Sequence, residues 1–372
     1  MLLAMRAVVL LLALASVVAA AQEADPDQLF QRAIEAQQKG DYPAAIRDYR
    51  KVIELRPAQV QARVNLGAAL AHVGQFDEAI EMYRSALPAL SDKNPVLLNL
   101  ALAYYKKGDF ENAREQFEVL HDARPNDIRV VILLGDSDLR LGRTEAALKL
   151  LEPLESRNSQ NMDFEYVLGS TLIKTIGRRR EGVSRIEKVA QAGPSADAYQ
   201  LAGATLLDLN DFETARRDLE EALRLNSSLP GIYTLVGKAR DKTGDTQAAE
   251  SAFREALKRT PDDVDANLYL GAILYKRREM DDAKRYLDRA LRLRPTDSMA
   301  RYEAAMLKST SGDYEVAARE LEQLVKDDPD WLEPHIELAT LYYRLHRPED
   351  GARERQVVER LSAEQQAKGP GK

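Results

Sequence analysis

The chain has no cysteine, one tryptophan and four histidines among its 372 residues, and only 6% of it is aromatic. Without cysteine there is no disulfide, no thiol nucleophile and no thiolate metal site. A lipoprotein anchor, which needs a cysteine just after its leader, is closed as well. His72, His121, His335 and His346 make no H-E-x-x-H, because HIELATLYYRLH has the wrong spacing. No G-x-S-x-G, Walker loop or dinucleotide fingerprint occurs. Basic charge is not in excess either. The 53 lysines and arginines are interspersed with 60 acidic residues for a net charge of -7, which excludes the basic stripe of a nucleic-acid binder. A non-catalytic protein with no cofactor and no metal is the expectation.

Long apolar runs are missing except at the start. Arg6 precedes a run from Ala7 to Ala21 that ends in small residues and turns polar at Gln22. That layout reads as a secretory signal over residues 1–21, with Ala19 and Ala21 flanking the cut, followed by a short mature segment, 22–25. The alternative is an uncleaved anchor, for which the run is short against about 30 Å of hydrocarbon. The expected location is outside the cytoplasm, periplasmic or secreted, with no stable membrane insertion after cleavage.

What is present is a period of 34 residues. Ala33, Gly67, Ala101, Gly135, Gly169, Gly203, Gly237, Gly271, Ala305 and Ala339 are all glycine or alanine. A second small series runs through Ala45, Ala79, Ala113, Ala147, Ala215, Ala249, Ala283 and Ala317 to Gly351, with Gly182 one residue late. A third holds Gly40, Gly74, Gly108, Gly142, Asn210, Gly244 and Gly312, with Gly177 again one late. A fourth is bulky: Tyr49, Tyr83, Phe117, Leu151, Leu219, Phe253, Leu287 and Leu321. The two small series suit antiparallel helices that cross closely, and the bulky residue, one turn after the second small one, fills the gap they leave. The glycine between them suits the left-handed residue that ends a helix. Pro57, Pro125, Pro261, Pro295 and Pro329 fall between units, where a helix stops.

NLGAALAHVGQFDEAIEMYRSAL (65–87) and NLYLGAILYKRREMDDAKRYLDRALRLRP (267–295) resemble the tetratricopeptide repeat. The family's early tryptophan is replaced by Leu29, Leu97, Tyr199 and Tyr233. The resemblance implies an all-α fold, a right-handed α-solenoid of about ten helix-turn-helix repeats over 26–351, with units starting near 26, 60, 94, 128, 162, 196, 230, 264, 298 and 332. Residues 352–368, charged where earlier second helices are apolar, read as a polar capping helix, with Arg355 in place of a core residue; 369–372 read as a disordered tail.

Three charges stand where most units are apolar: Asp138, Arg240 and Lys308. Lysine and arginine can reach solvent along their stems. Asp138 is too short for that, so it either pairs with a neighbour or marks an open, functional place. The extra residue in repeat 5 falls at a turn carrying Arg178, Arg179 and Arg180, read as a solvated loop of tolerated length, the alternative being a docking spot or hinge. Acidic pairs such as Asp262–Asp263 and Asp327–Asp328 read as caps and solvated turns.

In the resembled family the first helices line a concave groove that contacts protein partners. Carried over, the inward positions are Leu98, Leu102 and Tyr105; Ile132, Asp136 and Arg140; Tyr166, Ser170, Ile173 and Lys174; Gln200, Leu207 and Asp208; Lys238, Asp241 and Lys242; Leu268, Tyr275 and Lys276; Tyr302, Met306, Ile336 and Tyr343. Each tyrosine has inter-repeat packing as its simpler role. The lysine-plus-asparagine pair of a carboxylate clamp is absent from the fifth and ninth positions. The resulting expectation is a scaffold of the bacterial cell envelope that holds a peptide or helix of a partner protein in the groove. The alternatives are a glycan-binding or polysaccharide-export protein and a regulatory subunit of an exported enzyme.

Overall fold

Each turn within a repeat is built around one residue with positive φ. Gly40, Gly74, Gly108, Gly142, Gly177, Gly244 and Gly312 supply it at φ between 74° and 93°. In three repeats Asn210, Arg278 and His346 adopt it at 59°, 66° and 59°, a conformation in which a Cβ is penalised. In three repeats the residue after this turn, Asp41, Asp109 or Asp245, caps the second helix by accepting a backbone N–H three residues on.

The computed structural model describes residues 25–368, so the signal expected over 1–21 and the tail at 369–372 lie outside the described residues. Among the described residues there are ten helix pairs and no strand. The pairs are α1 (Pro26–Gln38) and α2 (Tyr42–Leu55), α3 (Val60–His72) and α4 (Phe76–Ala86), α5 (Asn94–Lys107) and α6 (Phe110–Ala123), α7 (Ile128–Arg140) and α8 (Thr144–Leu151), and α9 (Met162–Ile173) and α10 (Arg179–Ala192). They continue with α11 (Ala196–Asp208) and α12 (Phe212–Leu225), α13 (Ile232–Lys242) and α14 (Thr246–Arg259), α15 (Val264–Lys276) and α16 (Met280–Leu293), α17 (Ser298–Thr310) and α18 (Tyr314–Asp327), and α19 (Leu332–Arg344) and α20 (Pro348–Lys368). Successive first helices begin 34 residues apart except α13, which starts late because Pro230 and a left-handed Gly231 precede it. Pro88 and Pro153 end α4 and α8 early, each in a short 3₁₀ turn.

The chain divides between Gly182 and Val183 into two compact units. Within each, helices pack chiefly on their sequence neighbours, the arrangement of a repeat array whose stability sums unit and nearest-neighbour terms. The close crossing inferred from the small residues is present. A Cβ on Gly67 would lie 2.7 Å from Tyr83, one on Gly203 2.6 Å from Leu219, one on Gly237 2.6 Å from Phe253 and one on Gly271 2.8 Å from Leu287. The bulky series therefore sits on the small series, and Tyr49, Phe117, Leu151, Leu219, Phe253, Leu287 and Leu321 are fully buried. In repeat 5 the crossing is backbone on backbone: a Cβ on Gly182 would meet the Gly169 carbonyl oxygen and the Ile173 nitrogen, both at 2.6 Å.

The last repeat solves the same problem from the other side. Arg355 occupies the bulky position and is exposed. The gap at Gly351 is filled instead by Tyr343 of the first helix, where a Cβ would approach to 2.7 Å, and the Arg355 guanidinium lies 4.4 Å from the Tyr343 ring centroid. The array and its polar end share one continuous helix, so no break follows Gly351. Buried His335 fastens α20 to α19: its Nδ1 is 2.5 Å from Glu354 and its Nε2 3.1 Å from the Pro329 carbonyl.

Candidate functional site

The first helices of repeats 3, 4 and 5 leave a hollow of about 660 Å³ in the N-terminal unit. Its apolar wall combines Leu102, Ile128, Ile132, Leu133 and Val167 with the rings of Tyr105 and Tyr166. Lys106, Arg129, Arg140, Asp136, Asp163 and Asn161 supply the polar part. A volume within the ~300–1,000 Å³ typical of binding pockets, with a few convergent polar groups, fits a recognition site.

Three residues fix its geometry. The Tyr105 hydroxyl donates to Asp136 of the next repeat, and Arg140, one turn along from Asp136, donates through Nε to the same carboxylate oxygen at 2.7 Å. The guanidinium lies 5.8 Å from the Tyr105 ring centroid and 5.2 Å from that of Phe110, within cation–π reach. The Tyr105 ring in turn packs edge-on to Phe110 and Phe117, at 5.5 and 6.4 Å. Burial, reinforced by the bond to Asp136, pushes the Tyr105 hydroxyl up to about 12, so it stays a donor at neutral pH. The hydrogen bond to Asp136 in turn raises Arg140 further above its ordinary value. The result is a rigid cationic fork beside an apolar hollow.

Of the residues named from the repeat register, Leu102, Tyr105, Ile132, Asp136, Arg140 and Tyr166 come together here. Leu98 is partly buried against the core of repeats 1 to 4 and lies off the hollow. Lys174 is exposed, with its ammonium 3.5 Å from the Leu139 carbonyl. The remainder belong to the C-terminal unit. Lys238 pairs with Asp265 at 3.2 Å and lies 5.4 Å from the Tyr269 ring. Leu268 is 5% exposed, packed in the core of its repeat, so it presents no surface to a ligand. Tyr275 shares a 2.9 Å hydrogen bond with Thr310, and Tyr302 packs on Trp331 with centroids 5.3 Å apart. Lys276 is exposed, Met306 half-buried and Tyr343 engaged at Gly351. The walls Ile128, Leu133 and Val167 were not among the inward positions. They sit at the start of α7 and one residue beyond the fifth position of α7 and α9, a shift that a period alone does not reveal.

The misplaced charges resolve as pairs. Asp138, 3% exposed, accepts from Arg114 Nε at 2.7 Å. Arg240 donates to Glu220 at 2.9 Å, and Lys308 pairs with Glu320 of its own repeat. Arg178 of the long turn bridges Glu152 and Glu181, while Ile176 beside it is 98% exposed. Asp263 caps α15 and Asp327 pairs with Arg301 at 2.7 Å. Among the described residues no group of three or more His, Asp or Glu is placed to hold a metal, and no helix is long and apolar enough to cross a membrane.

Sequence models described as "Tetratricopeptide repeat" match residues 30–95 and 236–298, 73–136, and 196–229, together more than half of the chain. The chain belongs to the tetratricopeptide repeat family. Among curated proteins, human tetratricopeptide repeat protein 13 is 32% identical over 100 residues, covering 27% of this chain and 12% of that protein. Anaphase-promoting complex subunit 3 of Schizosaccharomyces pombe is 25% identical over 163 residues, covering 44% of this chain and 24% of its own length. The chain thus spans under a quarter of either relative. Among solved structures, a tetratricopeptide repeat protein from Parabacteroides merdae superimposes with a TM-score of 0.54 at 17% identity, over 67% of this chain and 98% of that one. A chain of the APC/C hetero-tetramer Cut9–Hcn1 gives 0.53 at 11% identity, over 91% and 94%. These likenesses support the α-solenoid fold. A tetratricopeptide array is in general a protein-interaction scaffold, and here its first helices in repeats 3 to 5 carry the hollow.

Proposed function

We propose that the protein is a non-catalytic scaffold that holds a peptide or helix of a partner protein in the hollow formed by repeats 3 to 5, and that it acts outside the cytoplasm after removal of residues 1–21. The observation that carries the binding site is the convergence of six separately inferred positions on one apolar hollow with a fixed Arg140–Asp136–Tyr105 fork. Tyrosine and arginine together are enriched in interface hot spots, and an amphipathic segment laid in an apolar groove is a recurring recognition mode. Export rests on the leader-like sequence alone.

Photo-crosslinking tests the site. A benzoylphenylalanine placed at Ile132 in the hollow is expected to trap a partner chain that the same group at Val119, exposed on α6, does not. Equal adducts from both positions would remove the hollow from the account. Mass spectrometry of the native protein's N-terminus checks export, with Gln22 as the expected first residue.

A further inference from the structure

The charges around the hollow restrict what enters it, an argument that rests on the groove reading above. Asp136 is committed, because its carboxylate receives both the Tyr105 hydroxyl and Arg140 Nε. Asp163 lies in the first turn of α9, where a carboxylate complements the positive end of the helix. Three cations remain. Arg140 spends only Nε on Asp136 and leaves both terminal nitrogens open, with its guanidinium 5.8 and 5.2 Å from the Tyr105 and Phe110 ring centroids. Lys106 and Arg129 are exposed at the margin, and among the described residues neither has a carboxylate partner. Elsewhere in this protein arginines are largely paired, as where Arg178 ties the longer turn of repeat 5 to Glu152 and Glu181. An acidic chain of net charge -7 that leaves three cations open around one apolar hollow has a local field opposite to its global one.

We infer that the occupant is an acidic amphipathic segment of a partner protein: an aliphatic or aromatic anchor that fills the hollow, followed by a carboxylate that takes the open fork of Arg140, with further acids facing Lys106 and Arg129. A guanidinium held through Nε by Asp136 keeps its two terminal nitrogens for two-point capture of a carboxylate, and the anchor supplies the apolar burial that a surface ion pair alone lacks.

The test is selection of binders for the full chain from a displayed library of random 12-residue peptides, followed by fluorescence anisotropy of the recovered peptides. The expected peptides combine an anchor with two or more Asp or Glu. They lose about tenfold in affinity when those acids become Asn or Gln, and a similar amount on Lys106→Gln with Arg129→Gln, and they weaken steeply between 50 and 500 mM salt, as screening at a Debye length of about 10 Å at 0.1 M requires. Peptides that lose binding on Ile132→Asp yet are indifferent to the loss of their acids overturn the acidic occupant and leave the groove standing. Peptides indifferent to Ile132→Asp and to Tyr166→Ala overturn the groove too, as does a library that yields no binder. Circular dichroism of each variant separates lost binding from lost folding, and Tyr166→Ala serves if Ile132→Asp unfolds.

Discussion

Tyr105 and Tyr275 occupy the same place in the repeat, as do Tyr166 and Tyr302, yet repeats 3 to 5 and repeats 8 to 10 use them for different ends. In the N-terminal unit the Tyr105 hydroxyl is taken by Asp136 and its ring by two phenylalanines, so the residue stands as a fixed post and Tyr166 faces a hollow. In the C-terminal unit Tyr275 closes on Thr310 of the next repeat, and Tyr302 packs on Trp331, the only tryptophan in the chain. The neighbour decides the role. Tyr105 meets a short carboxylate beside a hollow, whereas Tyr275 meets a hydroxyl and Tyr302 a second ring.

The largest effect is expected from breaking the ring contact of the C-terminal unit. Tyr302→Ala removes a half-buried ring and its Trp331 contact, and should cost about 2 kcal/mol of stability while leaving peptide binding to the hollow unchanged. Tyr166→Ala should do the reverse, costing about 1 kcal/mol or less of stability and most of the binding. Urea denaturation and anisotropy on the two variants decide it, and the comparison fails if both behave alike.

A second contrast lies on the second helices. Asp48 and Asp218 are five repeats apart at one register position, and both are buried. Asp48 accepts from Arg32 at 2.5 Å and from Arg47 at 3.2 Å, and the bond to Arg32 chiefly holds its carboxyl below the usual range. Asp218 has Arg217 at 3.0 Å, but Oδ2 is buried without a partner and Glu187 and Asp211 lie nearby; burial pushes its carboxyl up. A depressed carboxyl stabilises the fold above its unfolded pKa, and that contribution is lost as pH falls through the folded value. A raised one does the opposite: its charge costs stability at neutral pH, and the cost disappears as pH falls through the raised value. Asp48→Asn should therefore destabilise by about 1–2 kcal/mol at pH 7, with the penalty fading below about pH 4. Asp218→Asn should stabilise at pH 7, with the gain fading in acid. Thermal melts across pH 3 to 8 would show curves that converge from opposite sides, and parallel curves would refute the assignment.

The smallest expected effect sharpens the pair that opened the comparison. Tyr105→Phe removes a donor from a largely buried carboxylate and should cost about 1 kcal/mol and loosen Arg140, so peptide affinity falls as well. Tyr275→Phe removes a hydrogen bond at an exposed threonine and should cost about half as much or less, with no change in binding.

The period made the frame legible because close crossings admit only hydrogen or methyl, and such residues recur visibly: Gly67 against Tyr83 and Gly203 against Leu219 are seen as read. The left-handed turn was legible where glycine or asparagine stood, but not at Arg278 or His346, where the repeat imposes the conformation on residues that disfavour it. Asp138 left two readings open, since its partner Arg114 comes from the preceding repeat's second helix and no spacing announces that meeting. In the groove, register gave the posts and missed the walls. Leu268 reads as lining from its register, yet it is buried in the apolar core cluster of its repeat. A motif fixes which face a residue is on and leaves open how far the next helix covers it.

Because helices within each described unit pack chiefly on sequence neighbours, the stability of a repeat there depends mainly on the copies beside it. Unequal crossover that duplicates or deletes 34 residues among the regular repeats would join surfaces of the same kind, and would lengthen or shorten the protein in whole steps. Heredity can therefore edit copy number among the regular repeats, wherever the altered stretch leaves the third to fifth copies adjacent.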